Sequence, residues 1–585
     1  MSLGGGGKAN AMQEACNYAY NKGIAVFASA GNSGDSTMNY PAGYSHVIGV
    51  GATTNKDKKA DFSTYNSSVD VSAPGKDIYS TLPSYPVSCN ADGYELNYDF
   101  LSGTSMACPM AAGVGALLKA HDPSLSPAQV EQMLESTADD LGATGRDNQF
   151  GYGRVNAARA LGGGPKSTWY LAEGTTAWGF NTYISIENPN DSAVTANVTY
   201  MTDSGQKSGP TVNLAAKSQA TVNPGDTLGQ RDFSTKVECK EGKAIAVDRT
   251  MTWIGDGAPS PEAHSSVGVT APAKTWYLPE GSASWGFECW LLIQNPNDTE
   301  SSCEVTYMIE GADPVKVTKS VPANSRKTFN IADDIGSKDA SIQVHSEVPV
   351  IPERAMYRNN KREGHDSIGT TAPARDYYLA EGTSAWGFVT YVLVQNPNTE
   401  ACDVTITYMT SSGPKPQASF NMAANSRKTV RVNDVPGMAS TDFSTAVHGT
   451  KPIIAERAMY WGADTPLGEA CHDSIGMDAA HATFYLPDGQ TSDGRETWTL
   501  VQNPNSSPVT VEITYMTTTG AGNETFQDTI PANSRKTFNM VDKGISGRAA
   551  IMVTSKTAGK KIMVERAMYW NNRGAGTDTI GGYSD

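Results

Sequence analysis

The sequence predicts two fold classes in one chain. Residues 1–161 read as α/β, a doubly wound parallel sheet, and residues 169–585 as four all-β, Ig-like sandwich modules. Three observations carry this. Helix-like stretches alternate with short apolar runs up to about residue 161. Beyond the Gly162-Gly163-Gly164-Pro165 linker, helical periodicity gives way to Thr/Val/Ile/Tyr runs between Asn, Pro and Gly turns. This second part repeats itself four times. The boundaries follow: 1–161, a linker at 162–168, and repeats at 169–273, 274–374, 375–481 and 482–585.

In the first part, a helix is expected from Asn10 to Lys22, leading into the apolar run Ile24–Ala28. A second buried strand follows at Val47–Val50. A long helix starts near Thr104 and runs to about His121. Another spans Ser126 to Thr137, opened by Ser-Pro-Ala-Gln, a start signal with Pro at the first helical position.

The repeats open on Trp169-Tyr170-Leu171-Ala172-Glu173-Gly174, which returns at Trp276, Tyr377 and Phe484. The steps between the tyrosines are 107, 101 and 107 residues. Trp-Gly-Phe follows in the first three copies (Trp178, Trp285, Trp386). An Asn-Pro-Asn turn starts at 188, 295, 396 and 503, each 12 residues before a Tyr-Met pair. Short strands at about ten-residue spacing argue for sandwiches. A propeller blade repeats at about 40–50 residues, so these steps disfavour one.

The net charge of -16 argues against a nucleic-acid partner or an anionic membrane surface. No apolar run approaches the ~20 residues needed to span a bilayer, and residues 1–5 carry no signal-peptide pattern. The eight cysteines show no CxxC metal spacing. Cys289 and Cys303 flank the turn at Asn295 almost symmetrically. A hairpin there would set them opposite one another as a disulfide, which implies an oxidising compartment.

Ser105 lies among small residues at the start of an apolar helix, where free amides and the helix dipole suit developing negative charge. A bare Gly-Thr-Ser is equally an N-cap. The full string Gly103-Thr-Ser-Met-Ala-Cys-Pro-Met-Ala-Ala-Gly-Val-Gly-Ala-Leu-Leu118, however, resembles the catalytic-serine motif of the subtilisin-like serine proteases. Val26-Phe-Ala-Ser-Ala-Gly-Asn-Ser-Gly34 resembles the oxyanion-hole turn of that family. Tyr40-Pro-Ala, Val47–Ala52, Phe62-Ser63, Asp70–Gly75 and Gly151–Ala157 follow in family order. The resemblance implies an incomplete subtilisin-like domain with Ser105 as nucleophile and Asn32 as oxyanion donor. Ser2, Leu3, Gly4, Ala30, Gly31 and Thr104 would line the substrate cleft, where backbone pairs with the peptide as an added strand. Cys108 reads as a buried structural thiol.

The family order is Asp, His, Ser, yet the 31 residues before Asn32 hold no His and only one acid, Glu14. His46 and His121 lie in structural segments. The resemblance therefore implies a secreted endopeptidase acting through an acyl-enzyme on Ser105. This chain is expected to be a truncated form with no turnover of its own. The alternative is a surface adhesion or binding protein with an inert protease remnant. Calcium is admitted by the resemblance, and no metal ligand set can be named.

In the repeats, Asp248-Arg249, Glu353-Arg354, Glu456-Arg457 and Glu565-Arg566 recur, and so do His264, His365 and His472, with Thr577 in the fourth copy. A repeated acid, Arg and His could form a ligand or metal site; the stronger expectation is ion pairs and hydrogen bonds that pin strand ends within each copy. Trp178, Trp285 and Trp386 suit stacking on sugars, and a repeated Trp in a sandwich is more often core or a contact between modules. Expected partners are thus a peptide substrate and, through the repeats, a cell surface or polysaccharide.

Overall fold

A computed structural model describes the chain except for residues 122–124, 144, 158–159, 162–165, 259–260, 372, 464 and 466–468. It divides into two compact units, Met1–Gly164 and Pro165–Asp585.

In the first unit, strands Val26–Ser29, Val47–Thr53 and Val71–Pro74 form a parallel sheet with Val47–Thr53 in the middle. Every residue of that central strand is buried, as expected where both faces of a parallel sheet are covered. Neighbouring side chains divide between the faces. Phe27 packs with Ala107, Cys108, Ala111 and Leu118 of the helix Thr104–His121, whereas Ala28 packs with Cys16 of the helix Asn10–Asn21. Small residues bring the long helix close: a Cβ on Gly115 would lie 2.7 Å from the Phe27 ring. The helix Pro127–Ser136 is capped by Ser126, whose side chain accepts from Gln129 N while the Gln129 side chain accepts from Ser126 N, a capping box with Pro at the first position. The extended N-terminal residues run beside the sheet, with Ser29 N donating to Met1 O at 3.1 Å.

In the second unit each repeat holds two antiparallel sheets. In the first repeat, Thr168–Leu171, Ser234–Cys239, Val194–Thr202 and Gly205–Leu214 make one sheet. Ser218–Val222, Asn181–Asn188, Ala246–Trp253 and Glu262–Val267 make the other. In repeats two and three one 19-residue strand, Ala340–Arg358 or Phe443–Trp461, serves both sheets. Buried side chains of both sheets share one core, and Trp169, Ile184, Val198 and Tyr200 belong to it. Each turn is held by a buried asparagine. Asn188 Nδ2 donates to Ser192 O (3.0 Å) and Ala215 O (2.6 Å), and its Oδ1 accepts from Asn190 N and Nδ2.

The four repeats close on themselves. The last strands of the second sheets, Glu262–Val267, Glu363–Ile368, Ala470–Ile475 and Ala575–Ile580, stand round a common centre, each against the next and the fourth against the first. All four are buried along their whole length although their sequences are rich in polar residues.

Two expectations fail. Cys289 and Cys303 are free, as are Cys16, Cys108, Cys239, Cys402 and Cys471. The turn at Asn295 does not make a hairpin. Glu288–Asn295 pairs with Ser325–Asn330 in one sheet, and Ser301–Ile309 pairs with Val315–Val321 in the other, so the two cysteines sit on different sheets. The loop tryptophans are not core: Trp178, Trp285 and Trp386 are 78%, 77% and 73% exposed. Each adopts a left-handed backbone (φ 60°, 58° and 54°) and precedes a glycine also at positive φ, a tip that turns the indole outward. The phenylalanine after that glycine does the packing, with Phe180 against Trp253 and Phe388 against Trp461.

Candidate functional site

The site around Ser105 is assembled from three chain segments. Ser105 is the second residue of the helix Thr104–His121, so its N–H has no acceptor within the helix. Asn32 follows the end of the strand Val26–Ser29 and docks on that helix start. Its Oδ1 accepts from Thr104 N and Thr104 Oγ1, both at 2.8 Å, which leaves Nδ2 as the end able to donate elsewhere. Two glycines make the approach possible. Gly31 has φ +109°, and a Cβ there would fall 1.9 Å from Asn39 Nδ2; a Cβ on Gly103 would lie 3.2 Å from Asn32 Nδ2. The turn is braced by Thr64 N to Gly31 O, Asn39 Nδ2 to Ala30 O and Gly31 N to Thr104 Oγ1.

The N-terminal segment completes the group. Ser2 Oγ donates to Ser105 O at 2.8 Å, and Ser105 Oγ donates to Ser2 O at 3.3 Å. Leu3 is exposed beside it, and Gly4 lies close to Tyr40 O. The structure thus gathers Ser2, Ala30, Gly31, Asn32, Thr104 and Ser105. Among the described residues the Ser105 hydroxyl bonds no histidine and no carboxylate. His46 stacks on Tyr20 and bonds Asn17 Oδ1 through Nδ1. The side chain of His121 lies outside the described residues. Cys108 is buried in the core, which pushes its thiol pKa up and leaves it a packing residue.

A second chemistry-bearing region lies in the repeats, and its ion pairs run between copies as well as within them. Arg249 Nη1 pairs with Glu353 of the second repeat at 2.8 Å, and Arg249 Nη2 pairs with Asp366 of the same repeat. Arg354 joins Glu456 and Asp473, and Arg457 joins Glu565 and Asp578, each one repeat further on. All four recurring arginines are fully buried. The expected pairing within a copy is present, Arg249 with Glu173 at 3.1 Å, Arg354 with Glu280 at 3.5 Å and Arg457 with Glu381 at 3.6 Å, and pairing between neighbours is added to it. The sequence pattern did not single out two sets of contributors: the glutamates Glu173, Glu280 and Glu381 of the opening signature, and Asp366, Asp473 and Asp578 of the strands at the centre. Both sets recur beside residues that were singled out, and that recurrence was the available signal.

Residues 1–153 match the model of the subtilase family, Peptidase S8. The chain is 47% identical over 161 residues to Thermitase of Thermoactinomyces vulgaris, covering 28% of this chain and 52% of that protein. It is 41% identical over 160 residues to Subtilisin BL of Lederbergia lenta, covering 27% and 54%. It is 42% identical over 161 residues to the thermophilic serine proteinase of Bacillus sp. (strain AK1), covering 28% and 36%. The chain thus spans about half the length of the first two of these relatives and less of the third. No described helix is long and apolar enough to cross a membrane. The motif order, the docking of Asn32 on the Ser105 helix and these matches agree in making residues 1–153 similar to the subtilase family.

Proposed function

We propose that the first unit supplies the nucleophile and oxyanion half of an extracellular subtilisin-like serine endopeptidase. Ser105 Oγ attacks the peptide carbonyl and forms the acyl-enzyme. Asn32 Nδ2 and the Ser105 N–H receive the oxyanion. Ser2, Leu3, Gly4, Ala30, Gly31 and Thr104 line the channel for an extended substrate strand. The observation that carries this is the double hydrogen bond from Thr104 to Asn32 Oδ1, which turns the donor end of the amide loose beside the nucleophile. A serine hydroxyl needs a base to take its proton, and among the described residues the Ser105 hydroxyl bonds the Ser2 carbonyl oxygen and no histidine or carboxylate. This chain alone is therefore read as inactive. A fluorophosphonate probe is expected to leave Ser105 unlabelled, and rapid stoichiometric labelling would contradict that part of the proposal.

A second reading, a binding or adhesion role for the repeats built as four β-sandwich modules, is favoured by one observation. Three indoles at equivalent loop tips stand in solvent, held there by a backbone conformation costly for tryptophan. Retention on insoluble polysaccharide, lost in a variant with all three changed to alanine, would support it. Equal retention of both proteins would refute it.

A further inference from the structure

The seams between consecutive repeats hold three equivalent groups of buried donors. They are Glu173, His264 and Asp366; Glu280, His365 and Asp473; and Glu381, His472 and Asp578. Within each group one carboxylate oxygen per acid and one imidazole nitrogen lie within 4.8 Å of one another. We propose that each group binds a divalent metal ion of the borderline class, zinc being the best fit, through Glu, His Nδ1 and Asp, so that three of the four seams are metal-locked.

The hydrogen bonding argues first. Glu173 Oε2, His264 Nδ1 and Asp366 Oδ1 are buried, and none has a hydrogen-bond partner, Glu173 Oε2 having only the ion-pair contact with Arg249 Nη2 at 3.1 Å. His264 Nδ1 and Asp366 Oδ1 approach to 2.6 Å without hydrogen-bond geometry. At the third seam Glu381 Oε2, His472 Nδ1 and Asp578 Oδ2 likewise lack hydrogen bonds, and at the second Glu280 Oε2 and Asp473 Oδ1 do, while His365 Nδ1 there meets Arg354 Nη1 at 3.3 Å. Second, the other ring nitrogen is occupied. His264 Nε2 meets Tyr357 Oη at 2.9 Å, His365 Nε2 meets Tyr460 Oη at 3.0 Å, and His472 Nε2 meets Tyr569 Oη at 3.1 Å. Tyr357 and Tyr569 pass the bond on to Glu173 and Glu381. That relay fixes the tautomer with a lone pair on Nδ1, the arrangement that orients a metal-ligating histidine.

Third, acids outnumber arginines at the first seam. The first seam buries three carboxylates, Glu173, Glu353 and Asp366, against one arginine, Arg249. The seam thus sets three acids round one arginine and one imidazole. A further buried arginine nearby, Arg326, has its own carboxylate, Asp232, at 3.8 Å. A divalent ion among them offsets carboxylate charge in an interior where an uncompensated charge is expensive. The fourth seam is the internal control. Asp488, Thr577 and Ser265 stand where the others have Glu, His and Asp. Two acids, Asp488 and Asp248, face two arginines, Arg548 at 2.6 Å from Asp488 and Arg566 at 4.0 Å from Asp248. The seam that lost the imidazole and one acid gained a compensating arginine. One nitrogen and two carboxylate oxygens suit zinc, with a fourth position left for water.

The test uses the full chain, equilibrated with zinc chloride and desalted, with metal measured by plasma mass spectrometry. Three zinc ions per chain are expected, with X-ray absorption showing nitrogen and oxygen neighbours, imidazole included, and no sulfur. Changing His264, His365 and His472 to Gln together is expected to abolish this zinc. Should the triple variant fail to fold, the zinc content and absorption spectrum of the unaltered chain decide. Fewer than two zinc ions per chain, a sulfur shell from the free cysteines, or full zinc content in a folded triple variant would each overturn the proposal.

Discussion

Glu187 occupies the position where the other three repeats carry Gln294, Gln395 and Gln502. Those glutamines donate across the seam from Nε2, Gln294 to Thr235 O and Met201 Sδ, Gln395 to Met308 Sδ, and Gln502 to Thr445 O and Met409 Sδ. A carboxylate has no proton to give there. Glu187 is fully buried with neither oxygen hydrogen-bonded, and burial, with Asp248 nearby, pushes its pKa well above the ordinary 4.5. A raised pKa contributes stability in full only below the unfolded value and loses it as pH rises. As pH rises above 4.5 the unfolded chain releases a proton that the folded chain keeps, and each pH unit over which this holds costs about 1.4 kcal/mol of stability. Glu187→Gln should therefore change little at pH 4 and become progressively stabilising as pH rises. For a ring of roughly 420 residues melting as one unit, each such pH unit is about 1.6 °C in Tm. Calorimetry of both proteins from pH 4 to 8 reads the difference, so other titrating groups cancel. Gln294→Glu should install the same defect in the second repeat. Parallel pH profiles for the wild type and Glu187→Gln would refute the reasoning.

Asn295→Ala should cost about 3–4 kcal/mol in urea unfolding, because a buried side chain that donates to Thr299 O and Pro322 O and accepts from Asn297 N and Nδ2 is lost, at about 1 kcal/mol per bond. Trp386→Ala should stay within about 0.5 kcal/mol of wild type, whereas Phe388→Ala, two residues on and packed against Trp461, should cost about 3–5 kcal/mol; similar losses would show the loop is wrongly placed. In the first unit, burial lifts the Asp70 pKa to about 6 from 3.8, beside Glu131 and Glu135. Its stabilising contribution is therefore lost as pH rises from about 4 to 6. Asp70→Asn should gain up to about 3 kcal/mol over that window, read as a Tm difference that opens with pH.

The local parts of the fold were legible. Ser126-Pro127 and Gln129 announce a helix start through bonds three residues long, and the helix Thr104–His121 ends where its apolar run ends. The Ser105 and Asn32 pairing was legible only through resemblance, since the Asn32 to Thr104 bond joins residues 72 positions apart. Period-two patterning marks strands with one wet face, such as Val194–Thr202. It fails for Glu262–Val267, whose neighbours cover every side. The pairing of Arg249 with the next repeat could not be read from a motif that recurs identically within every copy. Nor could the turn at Asn295 reveal that it passes from one sheet to another, which is why the cysteine pairing failed.

The closed circuit of central strands has a consequence for heredity. An open solenoid tolerates gene duplication or deletion of a unit, because each unit touches only its neighbours in sequence. Here the last strand, Ala575–Ile580, rests against Glu262–Val267 of the first repeat, and Asp248 faces Arg566 across 318 positions of chain. A fifth copy would have no gap to enter, and the loss of one copy would open two polar faces at once. Copy number is thus fixed by geometry, while each seam remains free to diverge in its chemistry, as the fourth has done.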